Sequence, residues 1–164
     1  MDEQKRKQAL LTLSQIYADA RPALHYNTAY ELLVAVILSA QCTDERVNKV
    51  TAELFKEHNT PETMLELSQE ELEKYIFSCG LYKSKAAHIL SASRDIVDMF
   101  SGQVPSGFSD LKSLAGVGQK TANVVSSVWF EKDAIAVDTH VFRVSNRLGL
   151  AKASTPSKTE EQLK

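Results

Sequence analysis

Residues 32–38 read Leu-Leu-Val-Ala-Val-Ile-Leu, so a helix through them presents hydrocarbon on every face. Such a helix belongs inside other elements, and the run is far too short to span a bilayer. Thr28 with Glu31 three residues later predicts its start as a capping box, the hydroxyl and the carboxylate each satisfying an end amide. The rest of the chain must supply a shell around one central buried helix.

That shell reads as further helices. Ala9, Leu10, Leu13 and Ile16 recur at helical spacing within 3–17. Thr43 and Asp44 cap a helix carrying Val47, Val50 and Leu54 on one side. Ser68 with Glu71 forms a second capping box, and Gly80 is read as the terminator of that helix. A long helix is expected over 84–101, with Ile89, Leu90, Ile96, Val97 and Phe100 inward and Gly102 closing it. Ser109, Gly116 and Gly118 bracket two short helices, and Thr139 opens another that Gly149 ends. Thr155-Pro156-Ser157 looks like one more helix start, and the chain reads as cut inside that element. No segment alternates with period two for more than a few residues, and 134–137 reads as an extended connector. The expected fold class is all-α.

The 164 residues suffice for one domain or two small ones, burying roughly two-thirds of the unfolded surface. Lys5, Arg6 and Lys7 are not followed by the apolar run of a signal peptide, and no membrane association is expected. Cys42 and Cys79 are too few for a disulfide framework or a complete metal site, and read as small buried hydrophobes in a reducing cytoplasm. The formal charge is −2, so any nucleic-acid affinity must come from a local patch and from backbone donors.

The most informative stretch is 111–125. Leu111 and Leu114 precede Gly116-Val117-Gly118, and Thr121-Ala122 and Val124-Val125 follow. This describes two short helices joined by a hairpin. Glycines there permit positive φ and remove side chains that would keep another backbone from the amides. N–H groups at the start of the second helix suit a phosphate oxygen, which grips DNA without reading its sequence. Gly-x-Gly alone is equally compatible with a plain αα turn; the surrounding apolar and Thr-Ala pattern favours the grip.

Together with Ser39-Ala40-Gln41, Thr43-Asp44 and Val137-Asp138-Thr139-His140-Val141, in this order, the hairpin resembles the endonuclease III family from about residue 5 to 164. These are bacterial helix–hairpin–helix DNA glycosylases and abasic-site lyases acting on oxidised pyrimidines. The resemblance implies a helical bundle of six helices over 22–132, with the hairpin at about 110–125. Residues 1–21 and 133–164 would form part of a second helical domain whose C-terminal cluster-binding tail is absent. Lys120 matches the amine nucleophile, which attacks the sugar carbon bearing the base and leads through a Schiff base to β-elimination. The amine must be neutral to attack, and the positive end of the following helix dipole disfavours an ammonium. Asp138 matches the catalytic carboxylate, a role compatible with N-capping the helix at Thr139.

A glycosylase rotates its target nucleotide out of the stack, and something must fill the gap. Gln41 matches the filling residue and Leu81 the wedge; a helix C-cap and a core leucine are their plain structural roles. Gly116, Val117, Gly118, Thr121 and His140 are further expected DNA contacts. Lys83, Lys85, Lys112, Arg143 and Arg147 are candidate phosphate contacts. The carbonyls of Lys112, Leu114 and Val117 are a candidate monovalent-cation site. Full-length family members carry a 4Fe–4S cluster on four thiolates, and the ligand cysteines are absent here. The implied partner is double-stranded DNA with oxidised pyrimidines or abasic sites, bound by a monomer in the bacterial cytoplasm. An adenine-specific relative is disfavoured by Lys120 and by Ser39-Ala40-Gln41. A non-enzymatic hairpin module needs neither Lys120 nor Asp138, and a general helical scaffold leaves Gly116–Ala122 unexplained.

Overall fold

The computed structural model describes residues 3–164. Ten helices and no strand occur among them: α1 (Glu3–Ile16), α2 (Ala29–Ser39), α3 (Asp44–Leu54), α4 (Pro61–Met64), α5 (Gln69–Ile76), α6 (Tyr82–Phe100), α7 (Phe108–Ser113), α8 (Gln119–Val128), α9 (Thr139–Leu148) and α10 (Pro156–Leu163). The chain divides into two compact units. One is Ala23–Lys132; the other combines the described residues up to Pro22 with Asp133–Lys164.

In the first unit, α2 is the central helix that its all-apolar run demands. Every residue from Tyr30 to Leu38 is buried, and α3, α6 and α8 pack against it. Leu54, Met64, Leu72, Ile76, Ile89, Ile96 and Leu111 close the same core. Burying each such side chain contributes about 1.5–3 kcal/mol, and truncating Leu38 to Ala would cost about 2–5 kcal/mol.

The helix starts follow local chemistry with two corrections. Thr28 caps α2 by accepting from the Glu31 N–H, but the reciprocal half of the expected box does not form. The Glu31 carboxylate accepts instead from the backbone N–H and side-chain amide of Asn27, and from the Asn59 amide. Burial of Glu31 makes these donors necessary. Ser68 and Glu71 do form a complete box on α5. Gly80, however, does not end α5, which stops at Ile76 with Phe77 at its C-cap. The one-turn helix α4 has its own box between Thr60 and Thr63, with Pro61 in the first turn. At four residues it is too short to display any hydrophobic period.

In the second unit, α9 packs with α10, and Val137, Leu150 and Ala151 are buried. Gly149 (φ 72°) ends α9 as expected. Helix α1 forms where its periodicity places it, yet buries no residue: Leu10 and Ile16 are exposed, and Ala9 and Leu13 are half-buried.

Candidate nucleic-acid interface

The hairpin is built by burying the apolar positions of the 111–125 pattern. Leu111, Leu114, Val117, Ala122 and Val125 are all buried, so α7 and α8 pack together and the turn between them faces outward. The Val117 N–H donates to the Leu114 carbonyl at 3.1 Å, closing the turn. Its two glycines serve different ends. Gly116 has φ +75°, and a Cβ there would lie 2.9 Å from the His88 Cβ on α6. The fold itself requires that glycine. Gly118 has φ −89°, open to any residue, and a Cβ on it would meet nothing within 4 Å. Nothing inside the protein needs Gly118 to be bare. Its missing side chain matters to what approaches from outside.

Helix α8 starts without the device used elsewhere. Thr28, Thr43, Thr60, Ser68, Asp138 and Thr155 each place a side-chain oxygen on their helix's first-turn amides, whereas Gly118 supplies none. Lys120 lies exposed in this first turn, and Thr121 beside it is half-buried. Lys112 is drawn to the hairpin, donating to Gln119 Oε1 at 3.2 Å and lying over the Phe108 ring.

Two further turns of this unit converge. Ala40 is the C-cap of α2, and Gln41 after it has φ 52°; Leu81, the N-cap of α6, has φ 60°. Left-handed backbone is uncommon for residues other than glycine, asparagine and aspartate. Both side chains point away from the core: Leu81 is 60% exposed, which excludes the plain core role, and Gln41 is exposed too. Gly80 sits between them, where a Cβ would come within 3.1 Å of the Gln41 carbonyl. Close approach, not helix termination, is its reason to be glycine.

Lys85 corrects a sequence expectation. It is only 4% exposed and cannot contact a phosphate; its Nζ donates to the carbonyls of Leu38 and Ala40. The signal was present, since Lys85 shares the stripe of Ile89, Ala92 and Ile96 at helical spacing.

The second unit carries Asp138 and His140. Asp138 caps α9, its Oδ1 accepting from the N–H groups of His140 and Val141 at 2.9 and 2.8 Å. The capping role is therefore real, and it holds the carboxylate in one orientation. His140 is exposed in the first turn, as are Arg143 and Arg147 further along.

Residues 34–164 match the HhH-GPD superfamily of base excision DNA repair proteins. Endonuclease III of Haemophilus influenzae is 45% identical over 163 residues, 99% of this chain and 77% of that protein. The chain belongs to the endonuclease III family. Endonuclease III of Escherichia coli K12 is 44% identical with the same coverage. The structure of a trapped endonuclease III–DNA covalent intermediate superposes with a TM-score of 0.94 at 44% identity, covering 99% of this chain and 77% of that one. A thermostable thymine-DNA glycosylase, at 24% identity and TM-score 0.85, shares the fold.

The 4Fe–4S cluster that the family resemblance implies needs four thiolates. The residues here do not fit it. There are two cysteines, and no group of three or more His, Cys, Asp or Glu is gathered among the described residues. Cys79 is buried, and desolvation pushes its thiol up to about 11, with Cys42 its hydrogen-bonding neighbour. A thiol so held is a poor ligand at neutral pH.

Proposed function

We propose that this chain is a base-excision repair DNA glycosylase with abasic-site lyase activity, acting on oxidised pyrimidines in double-stranded DNA with Lys120 as its nucleophile. The observation that carries the reading is the exposed lysine in the first turn of α8, two residues after a glycine that the fold does not need. A DNA backbone seated against Gly118 lies against the helix that bears the amine. The phosphate is held by backbone N–H groups and by the positive end of the α8 dipole. The carbonyls of Lys112, Leu114 and Val117 are hard oxygen donors that suit a monovalent cation beside that phosphate.

The Lys120 amine attacks C1′ as the glycosidic bond breaks, and the base leaves with the bonding electron pair. Opening of the sugar ring then gives an iminium. Loss of a C2′ proton and cleavage of the C3′–O bond expel the 3′ phosphate, and water releases the lysine. Asp138 stabilises the electron-poor sugar and carries protons to and from Lys120. Gln41 fills the gap left by the rotated nucleotide, Leu81 wedges the stack and His140 borders the same DNA. The family resemblance supports a monomer working on the bacterial chromosome in the cytoplasm.

Borohydride trapping tests this. The protein should form a covalent adduct with abasic DNA, and Lys120→Gln should form none while still binding DNA. Asp138→Asn should slow base release yet still trap a preformed abasic site, where no base has to leave. A Lys120→Gln protein that traps as well as wild type would overturn the assignment.

A further inference from the structure

The turns presenting Gln41 and Leu81 are tied together by one buried ammonium. Lys85 Nζ donates to the Leu38 carbonyl at 2.8 Å and the Ala40 carbonyl at 2.6 Å. These are end carbonyls of α2, where the helix has run out of its own donors and the dipole favours a cation. The Ala40 peptide is the last before Gln41, whose own carbonyl lies against Gly80. Lys85 rises from the first turn of α6, and its N–H bonds to the Leu81 carbonyl at 3.0 Å. The Gln41 turn is thus tied by Lys85 and closely approached by Gly80, both in the segment that carries Leu81.

Burial is unfavourable for this ammonium: desolvation pulls Lys85 below the usual lysine range, with the Cys79 and Cys42 thiols opposing the shift. An apolar side chain of similar length would fill the space without that penalty. What it could not do is donate to the Ala40 carbonyl. A left-handed residue such as Gln41 persists only where its surroundings over-determine it.

We propose that Lys85 is a positioning residue: by holding the Ala40 carbonyl it aims the Gln41 amide at the unpaired base, and so sets how strongly the protein distinguishes opposite bases. This rests on the reading of Gln41 as the gap-filling residue. The Gln41 amide has a fixed donor and acceptor end, so its hydrogen bonding to an orphaned base depends on orientation.

The test uses duplexes carrying a tetrahydrofuran abasic analogue opposite each of the four bases, and opposite 2-aminopurine. Affinity for each duplex and 2-aminopurine fluorescence in the complex are measured for wild type, Gln41→Ala, Lys85→Met and the double variant. Gln41→Ala should flatten the affinity ratios across opposite bases. Lys85→Met should move the ratios and the fluorescence the same way, by roughly threefold or more in the ratio, the worth of about one net hydrogen bond. The double variant should be no flatter than Gln41→Ala alone, because the two act through one contact. Lys85→Gln, which keeps a neutral amide donor group, should fall between and serves if the methionine variant does not fold. Wild-type ratios and fluorescence in a folded Lys85 variant, or additive effects in the double variant, would overturn the positioning role. Unchanged ratios in Gln41→Ala would instead overturn the gap-filling reading itself.

Discussion

Gly116 and Gly118 are two residues apart and differ in what a methyl group would do to them. At Gly116 an alanine must adopt φ +75° with its Cβ against His88. Left-handed strain alone costs about 1–2 kcal/mol, so Gly116→Ala should lower the melting temperature measurably. At Gly118 the backbone suits alanine and the space is open. Gly118→Ala should melt like wild type, and Gly118→Val should still fold, yet both should bind every duplex more weakly whatever its sequence. Unchanged affinity in a folded Gly118→Val protein would contradict backbone gripping. Ser126 on α8 poses the converse case. Its Oγ is buried with no hydrogen-bond partner among the described residues. Removing an unsatisfied hydroxyl relieves desolvation worth about 1 kcal/mol or more, offsetting lost packing. Ser126→Ala should therefore be neutral or stabilising in chemical denaturation, and a clear loss of stability would refute this.

Among the helices, the manner of starting differs. Helices α2, α3, α4 and α5 begin at Thr or Ser caps whose side chains serve the first-turn amides. Helices α6 and α8 begin at Leu81 and Gly118, which serve none. The α5 cap has a pH signature. Ser68's backbone N–H, then its hydroxyl, bond the Glu71 carboxylate and hold it below the usual carboxylate range. Because the folded value is depressed, this stabilisation is present at neutral pH. It is lost as pH falls from the ordinary carboxylate range through the folded value. Wild type should lose more stability on acidification than Glu71→Gln, and equal slopes for the two proteins would argue against the box. Glu71 is fully exposed, so the difference is expected to be small and to shrink with added salt.

At the scale of the whole chain, the two residues proposed as nucleophile and carboxylate lie in different compact units: Lys120 in Ala23–Lys132, Asp138 in the unit containing Asp133–Lys164. Each substitution should then act separately on stability, while under the proposed chemistry their effects on base release should be far from additive. Independent, multiplicative losses in the double variant would speak against a shared reaction. The sequence alone determined the all-α class, the buried α2 and the hairpin, since periodicity, capping and turn spacing are written locally; the roles proposed for Lys120, Asp138, Gln41 and Leu81 rest on the family resemblance. Only the tertiary structure decided why Gly116 must be glycine and why Gly80 has little room for a side chain, because both answer to residues distant in the chain, His88 and Gln41. It turned Lys85 from a surface cation into a buried tie, since a lysine's partner is chosen by which carbonyls lack donors after packing. It sent the Glu31 carboxylate to Asn27 and Asn59 rather than back to Thr28. A buried charge takes the donors that folding brings to it, and sequence spacing records only the nearest of them.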